Sequence, residues 1–104
     1  MPYTQTNLVW VKATPMRVVF DWPTIDGQDV QDPAPTLYLS ASSSTPLGER
    51  TAITTDNGLT VTVDKIEAHL PYDLADGKFW WRLDLEMADG PQTIAAGRII
   101  QRAA

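Results

Sequence analysis

The chain has 104 residues, of which 43% are hydrophobic and 20% are charged, so it is long enough for one domain with a packed core. It contains no cysteine, which excludes a disulfide framework, a thiolate metal site and a cysteine nucleophile. Its formal net charge is −5, and its basic residues are scattered singly, which disfavours nucleic-acid binding because such a surface repels phosphate.

The first part of the chain is predicted to be an arm followed by two strands. Residues 1–6 form the N-terminal arm, and residues 7–102 form a single domain. Residues 7–12 are the first candidate strand. In residues 16–22 apolar side chains recur with a period of two, which is typical of a strand with one buried face.

The next segment is acidic, with three carboxylates at Asp26, Asp29 and Asp32. Clustered oxygens suggest a calcium site, but the spacing of calcium-binding loops and their closing Glu are absent. We therefore expect a polar hairpin loop and no metal. Residues 36–41 and 50–54 follow as candidate strands.

The second half of the chain is also predicted to be all strand, with candidates at residues 59–63, 65–70, 78–87 and 93–101. The alternation is longest in 78–87, where the residues predicted to point inward are Phe79, Trp81, Leu83, Leu85 and Met87. Asp-Gly and Asn-Gly turns between the strands favour antiparallel pairing. The fold class predicted is all-β, an antiparallel two-sheet sandwich of seven to eight strands. All prolines from Pro23 onwards are expected between strands.

Two details of the later strands have structural interpretations. Gly97 inside the last strand is expected to mark a bulge or a close crossing of chains. Asp84 and Glu86 share a face and are expected to be solvated.

The residues that could carry chemistry do not assemble into a catalytic set. His69 is the only histidine and is expected at the surface, so a nucleophilic triad or a catalytic zinc has no partners. The glycines are dispersed and form no phosphate-binding loop. The sequence therefore predicts a protein that is not an enzyme and that has no catalytic, cofactor-binding or metal-binding residues.

No apolar run reaches the length of a membrane span, and no leader pattern is seen, so synthesis in the cytoplasm without a membrane partner is expected.

Trp80 is the one residue that needs a functional interpretation. Adjacent residues of a strand face opposite ways, so Trp80 must point outward if Trp81 is in the core. An outward Trp near Lys78 and Arg82 could anchor a protein interface, stack on a sugar ring or cover the sheet beside a cross-strand partner. The candidate interface residues are Trp80, Arg82 and Lys78, together with Tyr3 in the N-terminal arm.

The order of motifs resembles a known family. The motifs are Phe20-Asp21-Trp22, the Asp26-Gly27 turn, residues 36–40, residues 57–63, residues 74–85, the Asp89-Gly90 turn and residues 96–100. Together they resemble the immunoglobulin-like (Ig-like) β-sandwich domains of tailed bacteriophages, found at the start of baseplate upper proteins and in small tail-fibre or minor tail proteins.

The resemblance implies an Ig-like sandwich that acts as a structural virion protein. Its expected role is a tail-tip, baseplate or fibre-attachment module that docks onto other virion proteins in multiple copies, as a homo-oligomer in the particle. It implies localisation in the virion after synthesis in the host cytoplasm. Two alternatives stay open: a capsid decoration protein, and a carbohydrate-binding module that recognises a host surface glycan through Trp80.

Overall fold

The computed structural model describes residues 4–22, 24–25, 28–29, 34–63, 65–71, 73–74, 76–87 and 90–103. This part of the chain forms eleven strands and a 3-10 helix at Leu47–Glu49. The strands are β1 (Thr4–Gln5), β2 (Leu8–Val11), β3 (Met16–Asp21), β4 (Thr24–Ile25), β5 (Gln28–Asp29), β6 (Pro35–Ser40), β7 (Thr51–Ile53), β8 (Leu59–Val61), β9 (Lys65–Leu70), β10 (Trp80–Met87) and β11 (Gly90–Arg102). No helix in these ranges is long and apolar enough to cross a membrane.

The strands form two main sheets that pack face to face. The larger sheet has the order β1-β11-β10-β6-β7, and β2 also pairs with β11. The smaller sheet has the order β3-β9-β8, and β4 and β5 form a separate hairpin. All pairs are antiparallel except those of β1 and β2 with β11. The predicted antiparallel two-sheet sandwich is confirmed, with eight strands of three or more residues.

The core lies between the two sheets and follows the period of two. From β10 it takes Trp81, Leu83 and Leu85, which are all buried. From the smaller sheet Phe20 contacts Trp81, with ring centroids 5.2 Å apart and planes tilted by 37°. Tilted aromatic pairs at this distance are favourable beyond their buried area. This contact joins the central strand of the larger sheet to β3.

The predicted strands agree with the observed ones to within a few residues, and β9 agrees at both ends. The expectation that these prolines lie between strands is wrong for Pro35 and Pro91. Pro35 is the first residue of β6, and Pro91 is the second residue of β11. A strand tolerates proline near its end because few ladder hydrogen bonds are lost there.

A β-bulge interrupts the hairpin of β10 and β11. The pairing runs without a shift from Met87 opposite Gly90 to Asp84 opposite Thr93, and then Leu83 pairs with Ala95. Ile94 is therefore the extra residue on β11. From Leu83 to Trp80, each residue of β10 therefore pairs with the β11 residue that is one position later than the register before the bulge would give.

The N-terminal segment crosses β11 closely at Gly97. Of the two predictions for this glycine, a bulge or a close crossing of chains, the structure shows the close crossing. A Cβ atom at Gly97 would overlap the backbone carbonyl of Thr6. The Thr6 carbonyl oxygen also accepts a hydrogen bond from Trp81 Nε1 at 3.1 Å, and the Thr6 amide donates to Ala96 O at 3.1 Å. Within the predicted arm, residues 4 and 5 form β1, and residues 1–3 lie outside the described ranges.

Candidate functional site

The candidate site is on the outer face of the larger sheet, around Trp80. Since Trp81 is buried in the core, strand alternation turns Trp80 outward, where its side chain is half-buried. Arg98 is directly opposite on β11, and its guanidinium carbon lies 5.3 Å from the centroid of the Trp80 ring. This distance is within the range of cation–π attraction. We call this surface the Trp80 face and define it by Ser43, Arg50, Trp80, Arg82, Thr93 and Arg98.

Two shallow cavities flank Trp80. The first has a volume of about 280 Å³, and its polar lining is Ser43, Arg50, Arg82 and Thr93. The second has a volume of about 520 Å³, and its polar lining is Thr6, Asn7 and Arg98. Trp80 and Gly97 line both cavities. Trp80 therefore stands between two depressions, with Arg98 lining only the second.

Arg50 is held at the first cavity by backbone carbonyls. Its Nε donates to Thr45 O and its Nη2 donates to Ser43 O, each at 2.9 Å. These acceptors are uncharged, and Arg50 makes no ion pair with any acid in the described ranges. The guanidinium is therefore positioned by uncharged acceptors.

Asp84 is buried beside Arg82, which corrects the prediction that this carboxylate is solvated. Only 2% of Asp84 is exposed. Its Oδ1 accepts from Arg82 Nε at 2.7 Å and from Thr93 Oγ1 at 2.8 Å, while its Oδ2 has no hydrogen-bond partner among the described residues. The physical reason is that β10 is a central strand, and the register pairs Asp84 with Thr36 on one side and Thr93 on the other. Glu86, near the end of β10, is exposed.

Of the four predicted interface residues, the structure brings Trp80 and Arg82 together at the first cavity. Lys78 precedes β10 and lines neither cavity, and its backbone carbonyl accepts from Gln101 Nε2 at 2.8 Å. Tyr3 lies outside the described residues. Phe79 was predicted to be in the core but is 43% exposed, because β10 begins only at the next residue.

His69 is exposed on β9. In the described ranges, no group of three or more His, Asp or Glu side chains could hold a metal ion. Most of the acidic segment at residues 26–32 lies outside those ranges.

Sequence reasoning missed Arg98, Arg50, Thr93 and Ser43. No signal in the sequence identifies Arg98, because counting symmetrically from the turn before Gly90 places Gly97 opposite Trp80. The bulge at Ile94 moves Arg98 into that position instead. Arg50 and Ser43 come from a segment distant in sequence, and a single sequence provides no signal for their approach to β10.

Comparison with known proteins supports the fold. No protein-family model matches the chain, and no curated protein matches it in sequence. Among solved structures, the chain is similar to one in a crystal structure of the titin M10–obscurin-like 1 Ig complex, with a TM-score of 0.55 and 12% identity. The match covers 98% of this chain and 90% of the other chain. The predicted Ig-like sandwich is thereby confirmed, and at this identity the likeness shows the fold alone.

Proposed function

We propose that the chain is a structural docking module of a tailed-bacteriophage virion, in the tail-tip, baseplate or fibre-attachment region. It binds neighbouring virion proteins through the Trp80 face and works in multiple copies. The phage context comes from the sequence resemblance, and the docking role comes from the surface. The proposal includes no catalytic step.

The observation that carries the docking role is the arrangement of Trp80 between Arg82 and Arg98. Tryptophan and arginine are enriched among the residues that dominate the energy of protein interfaces. Trp80 is half-buried and is covered in part by Arg98, so little side-chain freedom is lost when a partner contacts it. A stable contact must bury about 1,000 Å² or more in total, so the interface extends beyond the two cavities.

Charge gives further support to a specific interface. The chain carries a net charge of −5, but the Trp80 face has three arginines. In residues 80–84 of β10 the acidic residue is Asp84, which is paired with Thr93 and is buried. A basic patch on an acidic domain favours one orientation of the bound partner. Like charges also oppose contact between the acidic surfaces of two copies of the chain.

The proposal is tested in purified particles made from a phage genome that encodes this chain. We expect quantitative mass spectrometry to find the protein at a fixed ratio to other virion proteins. Trp80→Ala should lower that ratio, whereas Val19→Ala, at an exposed position on the smaller sheet, should not. Circular dichroism of both variants checks that the fold is retained. If the protein is absent from particles, or if both variants incorporate normally, the proposal is wrong.

Two related roles are separated by further measurements. Fractionation of particles into heads and tails distinguishes a tail module from a capsid decoration protein. A carbohydrate-binding role is favoured by the 280 Å³ cavity, in which Trp80 lies near the hydroxyl-bearing residues Ser43 and Thr93. Binding on a glycan array that is lost in Trp80→Ala with an unchanged fold would favour the carbohydrate role over docking.

A further inference from the structure

We infer that the Trp80 face receives an extended acidic segment of a partner protein, in which two carboxylate side chains two residues apart lie on either side of Trp80. This inference rests on the docking role proposed above and specifies the chemistry of the partner. One carboxylate enters the cavity of Arg50 and Arg82, and the other contacts Arg98.

The arginines of the Trp80 face differ in how their charge is compensated. Arg82 is compensated by Asp84, but Arg50 and Arg98 form no ion pair with any acid in the described ranges. Arg50 bonds to two backbone carbonyls, and Arg98 stacks on Trp80. Two guanidinium groups that have no acidic partner in the described ranges therefore flank one aromatic ring. Such groups favour carboxylates, because charge-assisted hydrogen bonds are about twice as strong as neutral ones.

Arg82 and Arg98 are offset from each other along the strand direction. Trp80 is level with Arg98, and Arg82 is level with Ala96, two residues further along the hairpin. Two residues of strand span about 6.6–6.8 Å. In an extended partner segment, side chains at positions i and i+2 point the same way and are separated by the same distance. An acidic residue at each of these positions therefore matches the offset of Arg82 and Arg98 along the strand direction.

The surroundings of Trp80 favour a peptide over an acidic sugar. The Arg98 guanidinium lies over one face of the Trp80 ring, so a pyranose ring could stack only on the other face. Cavities on both sides of Trp80 suit a chain that passes over the ring rather than a single compact unit. The carbonyl contacts of Arg50 also fix its position before binding, which lowers the entropic cost of an ion pair.

The experiment titrates the ¹⁵N-labelled 104-residue chain with the peptide Ac-Gly-Glu-Ala-Glu-Gly-NH₂ at low ionic strength. We expect saturable shifts of the indole N–H signal of Trp80 and of the Nε–H signals of Arg50 and Arg98. Affinity should fall as NaCl is raised from about 0.05 M to about 0.5 M, because exposed charges are screened. Arg98→Gln should weaken binding about two- to fivefold, the loss typical of one exposed ion pair.

Two controls make the result specific. Arg17→Gln makes the same change of charge at an exposed position of β3 in the other sheet and should leave the affinity unchanged. The peptide with Gln in place of both Glu residues should cause no saturable shift. The inference is overturned if the Glu and Gln peptides behave alike, if Arg17→Gln weakens binding as much as Arg98→Gln, or if a uronic-acid oligosaccharide binds at this face while the peptide does not.

Failure of the inference and failure of the docking role give different results. If the peptide does not bind but Trp80→Ala lowers incorporation into particles, the docking role stands and the acidic partner is wrong. If the peptide binds but Trp80→Ala incorporates normally, the site recognises carboxylates and the docking role is wrong.

Discussion

Gly97 is the residue at which the last strand and the N-terminal segment come closest. The Thr6 carbonyl occupies the space that a side chain at Gly97 would need, and the same carbonyl accepts the hydrogen bond of the buried Trp81 indole. Thr6 lies between β1 and β2 in the chain, and both strands pair with β11. The Thr6 carbonyl therefore has little freedom to move away. The absence of a side chain at Gly97 thus permits the hydrogen bond of Trp81.

We predict that Gly97→Ala lowers the free energy of unfolding by about 1–3 kcal/mol, the usual cost of overpacking. Gly48→Ala is the matched control, because a Cβ atom there meets nothing within 4 Å. Urea unfolding followed by tryptophan fluorescence measures both variants. Equal stability of the Gly97 variant and the native protein would show that the crossing is loose.

Asp84 and Glu86 share the outer face of β10 but differ in what their removal should cost. Asp84→Ala removes a buried acceptor from Arg82 and Thr93, so we predict a loss of about 1–3 kcal/mol in the free energy of unfolding. Glu86→Ala, at an exposed position, should leave that free energy unchanged. Thermal and urea unfolding check both predictions. A greater effect at Glu86 than at Asp84 would contradict the register that we describe.

At the scale of elements, β3 is an edge strand of the smaller sheet in the part of the chain that the structure describes. On β9, His69 N donates to Gly58 O at 2.9 Å and Lys65 O accepts from Thr62 N at 2.9 Å, so the odd-numbered residues of β9 bond towards β8. The even-numbered residues of β9 consequently bond to β3. Their partners on β3 are Met16, Val18 and Phe20.

The amides of Arg17, Val19 and Asp21 therefore face away from β9, and in the described ranges β3 pairs with no other strand. We predict that hydrogen exchange alternates along β3, with slow exchange at Val18 and Phe20 and fast exchange at Arg17 and Val19. NMR-detected exchange in D₂O measures each amide separately. Slow exchange at Val19 would mean that another strand covers this edge in solution, through self-association or a shifted register.

The elements also show how far the sequence determines the fold. Period-two patterning predicted the strands well because each sheet has one buried face, and it placed both ends of β9 correctly. It failed where the period is interrupted or the strand ends. The bulge at Ile94 cannot be inferred from alternation alone, and Phe79 fits the alternation although it precedes the strand.

The candidate site was predictable only in part, for a related reason. The outward position of Trp80 follows from the inward position of Trp81, both on one strand. Arg98 depends on a bulge in the neighbouring strand, and Arg50 depends on the return of a distant segment to β10. Local periodicity contains no information about either. The burial of Asp84 was missed because it depends on β10 being a central strand.

At the scale of the whole molecule, the sandwich must hold its two sheets together without a disulfide. In antibody domains a disulfide joins strand B of one sheet to strand F of the other. By their order in the sheets, β3 and β10 correspond to these strands, and in this chain Phe20 and Trp81 meet between them. With no cysteine available, this aromatic contact is the direct link at that position.

Because packing and not a disulfide joins the two sheets at this position, we expect the contact of Phe20 with Trp81 to be important for stability. Phe20→Ala should lower the free energy of unfolding by about 3–5 kcal/mol, because it leaves a cavity beside Trp81 in the centre of the sandwich. Phe79→Ala removes the same side chain from an exposed position and should cost much less. Urea unfolding should show one transition for both variants, with slopes like that of the native protein, since the sheets share one core. Two separate transitions in Phe20→Ala, or equal losses in both variants, would mean that the sheets are held together elsewhere.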